Sequence, residues 1–295
     1  MPVKLAENFR ALFYAPFYAT HALGFYAREG VEVELINSPA PAAAHSALLD
    51  GTIDLSWGGP MRVMKARDSD PGSQLVCFCE VVARDPFFLV GRGGRAGFAL
   101  ADLKRLRLAT VAEVPTPWLC LAHDLRENGI DPDLIDRVTG ATMGDNLAAL
   151  GRGEIDVIQV FEPYASMALK AGIGDILHAA SARGPTVYTT FLATRASIQS
   201  NRDAFTAMVR AVRHMQSWLA DNGPDALAAT VASFYPDVAP DILASALRRY
   251  HEAGVWARST DVSREGFARL AAALRSGGFV TRLHRYEECV DPDVQ

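Results

Sequence analysis

Apolar and polar positions along the chain fall into a motif that occurs twice. Gly51-Thr52-Ile53-Asp54 runs into Leu55-Ser56-Trp57 and closes on Gly58-Gly59-Pro60, while Gly153-Glu154-Ile155-Asp156 runs into Val157-Ile158-Gln159-Val160-Phe161 and closes on Glu162-Pro163. Each glycine follows a small-residue helical pattern, Ala47-Leu48-Leu49 in the first copy and Leu147-Ala148-Ala149-Leu150 in the second. Each is therefore placed to end a helix in the left-handed conformation, where a residue without a Cβ meets no steric penalty. The apolar run that follows has the pattern of a strand buried on both faces.

The segments upstream also correspond. Val3 to Ala6 reads as a strand, Pro16 opens an apolar helix that stops near Gly30, and Val31 to Ile36 alternates as a second strand. In the later copy Leu106 to Val111 reads as a strand, Pro115 or Pro117 opens a helix through Glu127, and Gly129 closes it. The chain is thus expected to be α/β, with two similar lobes, each a mostly parallel sheet flanked by helices. Two extended segments, Pro86 to Gly91 and Thr186 to Thr194, read as crossings between the lobes. They place residues 1–88 and 192–295 in lobe 1 and the inserted residues 89–191 in lobe 2, with a two-strand hinge of the kind that allows closure. From Asn201 onward the pattern is helical, with spans at Asp203 to Leu219, Asp225 to Ser233, Pro240 to Ala253 and Ser263 to Arg275. Apolar residues recur there every three or four positions, as in helices packed on a core, and the arginines read as solvated faces.

Composition narrows the class. With 295 residues, 49% hydrophobic and 21% charged, the chain can bury one large core or two ordinary ones. A net charge of -5 argues against nucleic acid as a partner. No apolar run reaches bilayer length, so no membrane insertion is expected. Cys77, Cys79, Cys120 and Cys289 form no CxxC pair and no zinc-ligand spacing, so no metal and no other cofactor is expected. The chain as written enters its first strand without a basic segment and an apolar core before it, which points to the cytoplasm. A leader missing from the sequence would make the periplasm the expected compartment instead.

Candidate binding residues follow from the rule that ligands of parallel α/β sheets sit at the carboxyl ends of strands. The loop after the first strand carries Asn8, Phe9, Phe13 and Tyr14, rings that either face a ligand or pack inward. Gly58 and Gly59 suit close backbone approach to a ligand or a plain tight turn, and Trp57 beside them offers a stacking face. Glu80 is placed where its strand leaves the core. Pro115, Thr116 and Trp118 lie at a helix start, where unpaired N–H groups attract an anionic or polar atom, with Thr116 either a donor or an ordinary cap. Glu113 and Glu162 fall at strand ends and would favour an amine or amidine-like group, unless an arginine claims them. Tyr188 lies on the second crossing. No nucleophile–base pair can be assembled from Glu7, Glu80, Glu113 or Glu162 by spacing.

Ala15-Pro16-Phe17-Tyr18-Ala19, Gly24 to Leu35, Asp50 to Asp54 and Glu162-Pro163-Tyr164-Ala165-Ser166 together resemble the SsuA/THI5 (NMT1-like) family. The resemblance covers Val3 to about Thr194 and implies a two-lobed type II periplasmic-binding-protein fold. It also implies a solute-binding protein that captures a small molecule between its lobes and meets the permease of an ABC transporter. Glu113 and Glu162 resemble the pyrimidine branch, so the expected ligand is a nitrogen heterocycle such as a thiamine-precursor pyrimidine, with sulfonate, taurine or nitrate as the alternative. A cytosolic enzyme or sensor using the same cleft is the other reading. Ser56 to Met64 lacks the histidine and lysine that the family's pyrimidine synthase uses, and Asn8 to Ala15 lacks the cysteine of its desulfinase. The resemblance therefore implies binding, not catalysis.

Overall fold

The computed structural model describes residues 1–37, 41–94 and 96–294, and places their strands in two five-stranded sheets. The first sheet takes β1 (Val3–Ala6), β2 (Val33–Ile36), β3 (Leu55–Gly58) and β4 (Leu75–Val82). The second takes β5 (Phe88–Gly91), β6 (Leu108–Ala109), β7 (Arg137–Val138), β8 (Val157–Val160) and β9 (Asp175–Ala179). The last strand, β10 (Thr189–Thr194), returns to the first sheet.

The two strand orders are β2-β1-β3-β10-β4 and β7-β6-β8-β5-β9. They share one plan. In each, the first strand of the repeat pairs in parallel with the two that follow it. In each, an antiparallel strand that has just crossed over fills the fourth place, β10 beside β3 and β4, and β5 beside β8 and β9. Every residue of β3, β4 and β8 is buried, which is why their sequences are nearly unbroken apolar runs, whereas the edge strand β2 is half-buried and alternates.

The helices of the repeats are α1 (Ala15–Ala22), α2 (Phe25–Arg28), α3 (Pro41–Leu49), α4 (Met61–Ser69), α5 (Thr116–Glu127), α6 (Met143–Arg152) and α7 (Tyr164–Lys170). Gly51 and Gly153 both adopt positive φ, 75° and 79°, as the repeated motif requires. The helix expected from Pro16 to Gly30 is two helices, because Gly24 at φ 69° turns the chain between them. The strand expected over Leu106 to Val111 pairs only at Leu108 and Ala109.

The tail supplies α8 (Arg195–Val231), α9 (Pro240–Glu252), α10 (Arg264–Ser276) and α11 (Tyr286–Cys289). The α8 run is broken at Asn201 and at Gly223, just before Pro224. One face of α9, Ile242, Leu243, Ala246, Leu247 and Tyr250, is buried, and Ser263 caps α10 by accepting the Gly266 N–H at 3.0 Å. No helix among the described residues is long and apolar enough to cross a membrane.

Candidate functional site

The loops after β1, β3, β6 and β8 converge at one end of the two sheets, the carboxyl end of their parallel strands. After β1 the chain makes a single 3-10 turn at Leu12–Tyr14, which drives Phe13 and Tyr14 almost wholly out of solvent and leaves Phe9 half-buried. Asn8 is held by donating from Nδ2 to the Tyr14 hydroxyl at 3.1 Å. Burial pushes that hydroxyl up to about 12, so it stays protonated. The rings pack with partners from both sheets, Phe13 lying 5.3 Å from Phe161 and 6.0 Å from Tyr188 between centroids, and Phe87 lying 5.2 Å from Phe161.

Between these walls is an inner chamber. Asn8, Phe9, Phe13, Tyr14, Gly59, Pro115, Thr116 and Tyr188, all anticipated from sequence, line it, together with Met61, Arg62, Phe87, Val114 and Leu270, which were not. Its cavity volume is about 40 Å³, room for roughly three waters. Thr116 is the first residue of α5, and Pro115 before it offers no side-chain acceptor. The first-turn N–H groups of α5 therefore lack a side-chain cap and present the positive end of the helix dipole to the chamber.

Arg62 is the charged group of this chamber. It sits in the first turn of α4, half-buried, and among the described residues no carboxylate pairs with it. Burial pulls its guanidinium below the ordinary arginine range, opposed by the nearby Tyr14 hydroxyl. A guanidinium taken partly out of water without a counter-charge carries a desolvation cost that an incoming anion would relieve. The signal of Arg62 was its place, directly after Gly58-Gly59-Pro60 at a strand's carboxyl end.

A second, outer chamber lies on the other side of Phe9. It is open to solvent, has a cavity volume of about 600 Å³, and is lined by Arg10, Phe161, Tyr164, Phe234 and Tyr235 among others. Glu113 lines it and is exposed. One of its oxygens accepts the Met143 N–H of α6 at 3.0 Å.

Several anticipated residues are placed differently. Glu162 reaches the outer chamber but its carboxylate is wholly buried and already engaged, accepting from Ser166 N at 2.8 Å, Ser166 Oγ at 3.0 Å and Arg249 Nε at 2.8 Å. The arginine that claims it comes from α9, in the helical tail whose arginines read as solvated. Trp57 is in the core, stacked on Phe17 at 4.8 Å and 10°, away from either chamber. Gly58 is needed for packing against β10, since a Cβ there would lie 2.9 Å from Leu192 Cδ1. Trp118 turns to the other side of α5, where the Arg137 guanidinium lies 4.1 Å above its ring. Glu80 stays inside, beneath α10: one oxygen accepts the Ser263 N–H at 2.7 Å and the other has no partner among the described residues. Burial pushes it up to about 7. Among the described residues no group of histidine, cysteine and carboxylate side chains is arranged to hold a metal.

Comparison with known proteins agrees with this geometry. A protein of Bacillus subtilis (strain 168) named "Putative binding protein YtlA" is 24% identical over 297 residues, covering 99% of this chain and 88% of that protein. The periplasmic aliphatic sulphonate binding protein SsuA of Escherichia coli superposes with a TM-score of 0.79 at 19% identity, covering 99% of this chain and 98% of its own. A ligand-binding component of an ABC-type import system from Staphylococcus aureus, solved with zinc bound, gives 0.75 at 16% identity, covering 100% and 97%. Each of these names describes binding. The chain matches the NMT1-like family over residues 9–233, and so it belongs to that family and has the periplasmic-binding-protein fold.

Proposed function

We propose that this protein is a solute-binding protein whose two lobes, residues 1–88 with 192–295 and residues 89–191, close on a small organic anion for delivery to an ABC-type permease. The observation that carries this reading is Arg62, a half-buried guanidinium with no carboxylate partner among the described residues, in a ring-walled chamber beside the uncapped start of α5. Each supplies positive potential where the other points, and low local dielectric strengthens both. The names of the import-system relatives support the binding role, and the sulphonate binder among them supports the charge of the ligand.

The test is thermal unfolding of the purified protein with short sulfonates, carboxylates, nitrate and aminopyrimidines. A bound anion at a hundredfold excess over its dissociation constant stabilises by about 2.7 kcal/mol, a shift of roughly 5 °C for a chain of this size. Arg62→Ala should abolish the shift. Stabilisation by an aminopyrimidine and by no anion would reverse the assignment. That second reading, a pyrimidine, retains one support, the exposed Glu113 carboxylate at the rim of the outer chamber.

A further inference from the structure

Arg62 borders a second space. Besides the inner chamber it lines a surface groove floored by one face of α4, where Met61, Arg62, Lys65, Ala66 and Ser69 recur at steps of three and four. His45 of α3 and Phe279, just past α10, complete the lining. The groove is open to solvent and has a cavity volume of about 300 Å³. Unlike both chambers, it takes no residue from 89–191.

The charges in the groove are of one sign. Arg62 and Lys65 are cations one helical turn apart, and none of the described residues lining it is a carboxylate. Lys65 Nζ donates to the Phe279 carbonyl at 3.0 Å, which positions the ammonium without neutralising it. Asp68, on the same helix, is turned to the segment after α10, accepting the Thr281 N–H at 2.9 Å and the Thr281 hydroxyl at 2.8 Å. His45 points to a ligand independently of these charges. Its Nδ1 is shut off from solvent and has no partner among the described residues, a cost that a group able to bond to it would relieve. Burial, and then the nearby Arg62 charge, hold the imidazole below the ordinary histidine range.

The two spaces that Arg62 borders suit different guests. The inner chamber, with one cation, ring walls and room for a few waters, suits a single negative charge. The groove, with two cations, an imidazole and an open mouth, suits a compact anion of higher charge that keeps part of its hydration. A guanidinium is a planar fork of five donors, so its edges can serve either space.

From this we infer that the groove is a second anion site, for a small inorganic oxyanion of the phosphate or sulfate type, held by Lys65, an edge of Arg62 and the His45 ring. On the anion reading above, the two sites share one positive charge. An oxyanion in the groove therefore weakens anion binding in the inner chamber, and by linkage the reverse holds equally.

The test is a titration of the isotope-labelled protein with inorganic phosphate at constant ionic strength, read by magnetic resonance from the histidine rings, with His45→Gln identifying the His45 signals. In the native protein those signals should move saturably and the His45 titration midpoint should rise, as it does beside a negative charge. His21, on α1 and absent from the groove, should not respond. Lys65→Gln keeps a donor for the Phe279 carbonyl and should weaken phosphate about threefold, the order of one exposed charge pair. A response of His45 no larger than that of His21, or equal phosphate affinity in Lys65→Gln, overturns the inference and leaves the anion reading standing. A saturable His45 response in a protein that no sulfonate, carboxylate or nitrate stabilises overturns the anion reading and leaves the groove site. Where butane-1-sulfonate binds the inner chamber, saturating phosphate should weaken it several-fold, and equal affinity with and without phosphate overturns the shared charge.

Discussion

Charge is handled in opposite ways in two regions of this molecule. Where α7 meets α9, the buried Glu162 carboxylate accepts from Arg249 and from the N–H and hydroxyl of Ser166, and the Glu162 backbone N–H donates to the Tyr250 hydroxyl at 2.8 Å. In the first turn of α4 and beneath α10, among the described residues, Arg62 has no opposite charge and Glu80 has a single backbone N–H for two oxygens. The first region ties the helical tail to the second sheet. The second leaves charge uncompensated, in one place where a ligand can complete it and in another where a proton can.

The contrast is broken most strongly by removing one member of the satisfied pair. Arg249→Met should lower unfolding free energy by about 3–5 kcal/mol in urea titrations at pH 7, since it strands a buried carboxylate. An effect under about 1 kcal/mol would mean that Ser166 suffices alone.

Glu80 should give the next largest effect, and of opposite sign. Its carboxyl is raised from 4.5 to about 7 by burial. The folded state therefore holds the proton more tightly than the unfolded one, so this contribution to stability is complete below about pH 4.5 and is lost as pH rises through about 7. The loss amounts to about 3 kcal/mol in order of magnitude. Glu80→Gln should equal the native protein near pH 4.5 and exceed it at pH 8, read from the difference between the two urea midpoints. Parallel pH profiles for the two would show that Glu80 titrates normally.

Arg62→Met should have the smallest effect on the free protein, within about 1 kcal/mol, because it removes a charge that nothing compensates. It sharpens the comparison, since the same type of change costs several times more at Arg249.

The legibility of these features in the sequence follows the range of the interactions. Gly51 and Gly153 announce themselves locally, because left-handed backbone at a helix end needs little beyond the residue and its neighbours. The buried runs of β3 and β8 were equally plain, and of the extended segment read from Thr186 to Thr194, residues 189–194 form β10. Asn8, Phe9, Phe13 and Tyr14 reached the inner chamber because position after a strand's carboxyl end is a topological fact, and Thr116 and Tyr188 did so from a helix start and a crossing. Glu162 was misplaced for the opposite reason. Its partner lies 87 residues away on a helix docked by tertiary packing, and no local pattern distinguishes an arginine that snorkels from one that folds inward to a carboxylate. Arg62 was missed because an arginine in a first helical turn reads as surface. Trp57 looked like a platform beside a loop until Phe17 was seen to cover it.

The fourth place in each sheet has a consequence for synthesis. β5 enters the second sheet before its neighbours β8 and β9 exist, whereas β10 enters the first sheet more than a hundred residues after β4, between two strands made long before. On the ribosome the inserted half can therefore be finished while the older sheet still has an empty slot, with the exposed edges of β3 and β4 waiting for the last strand. A nascent chain halted just short of residue 189 would hold one finished sheet and one with a gap, and it is the earlier-made half that would need a chaperone's cover.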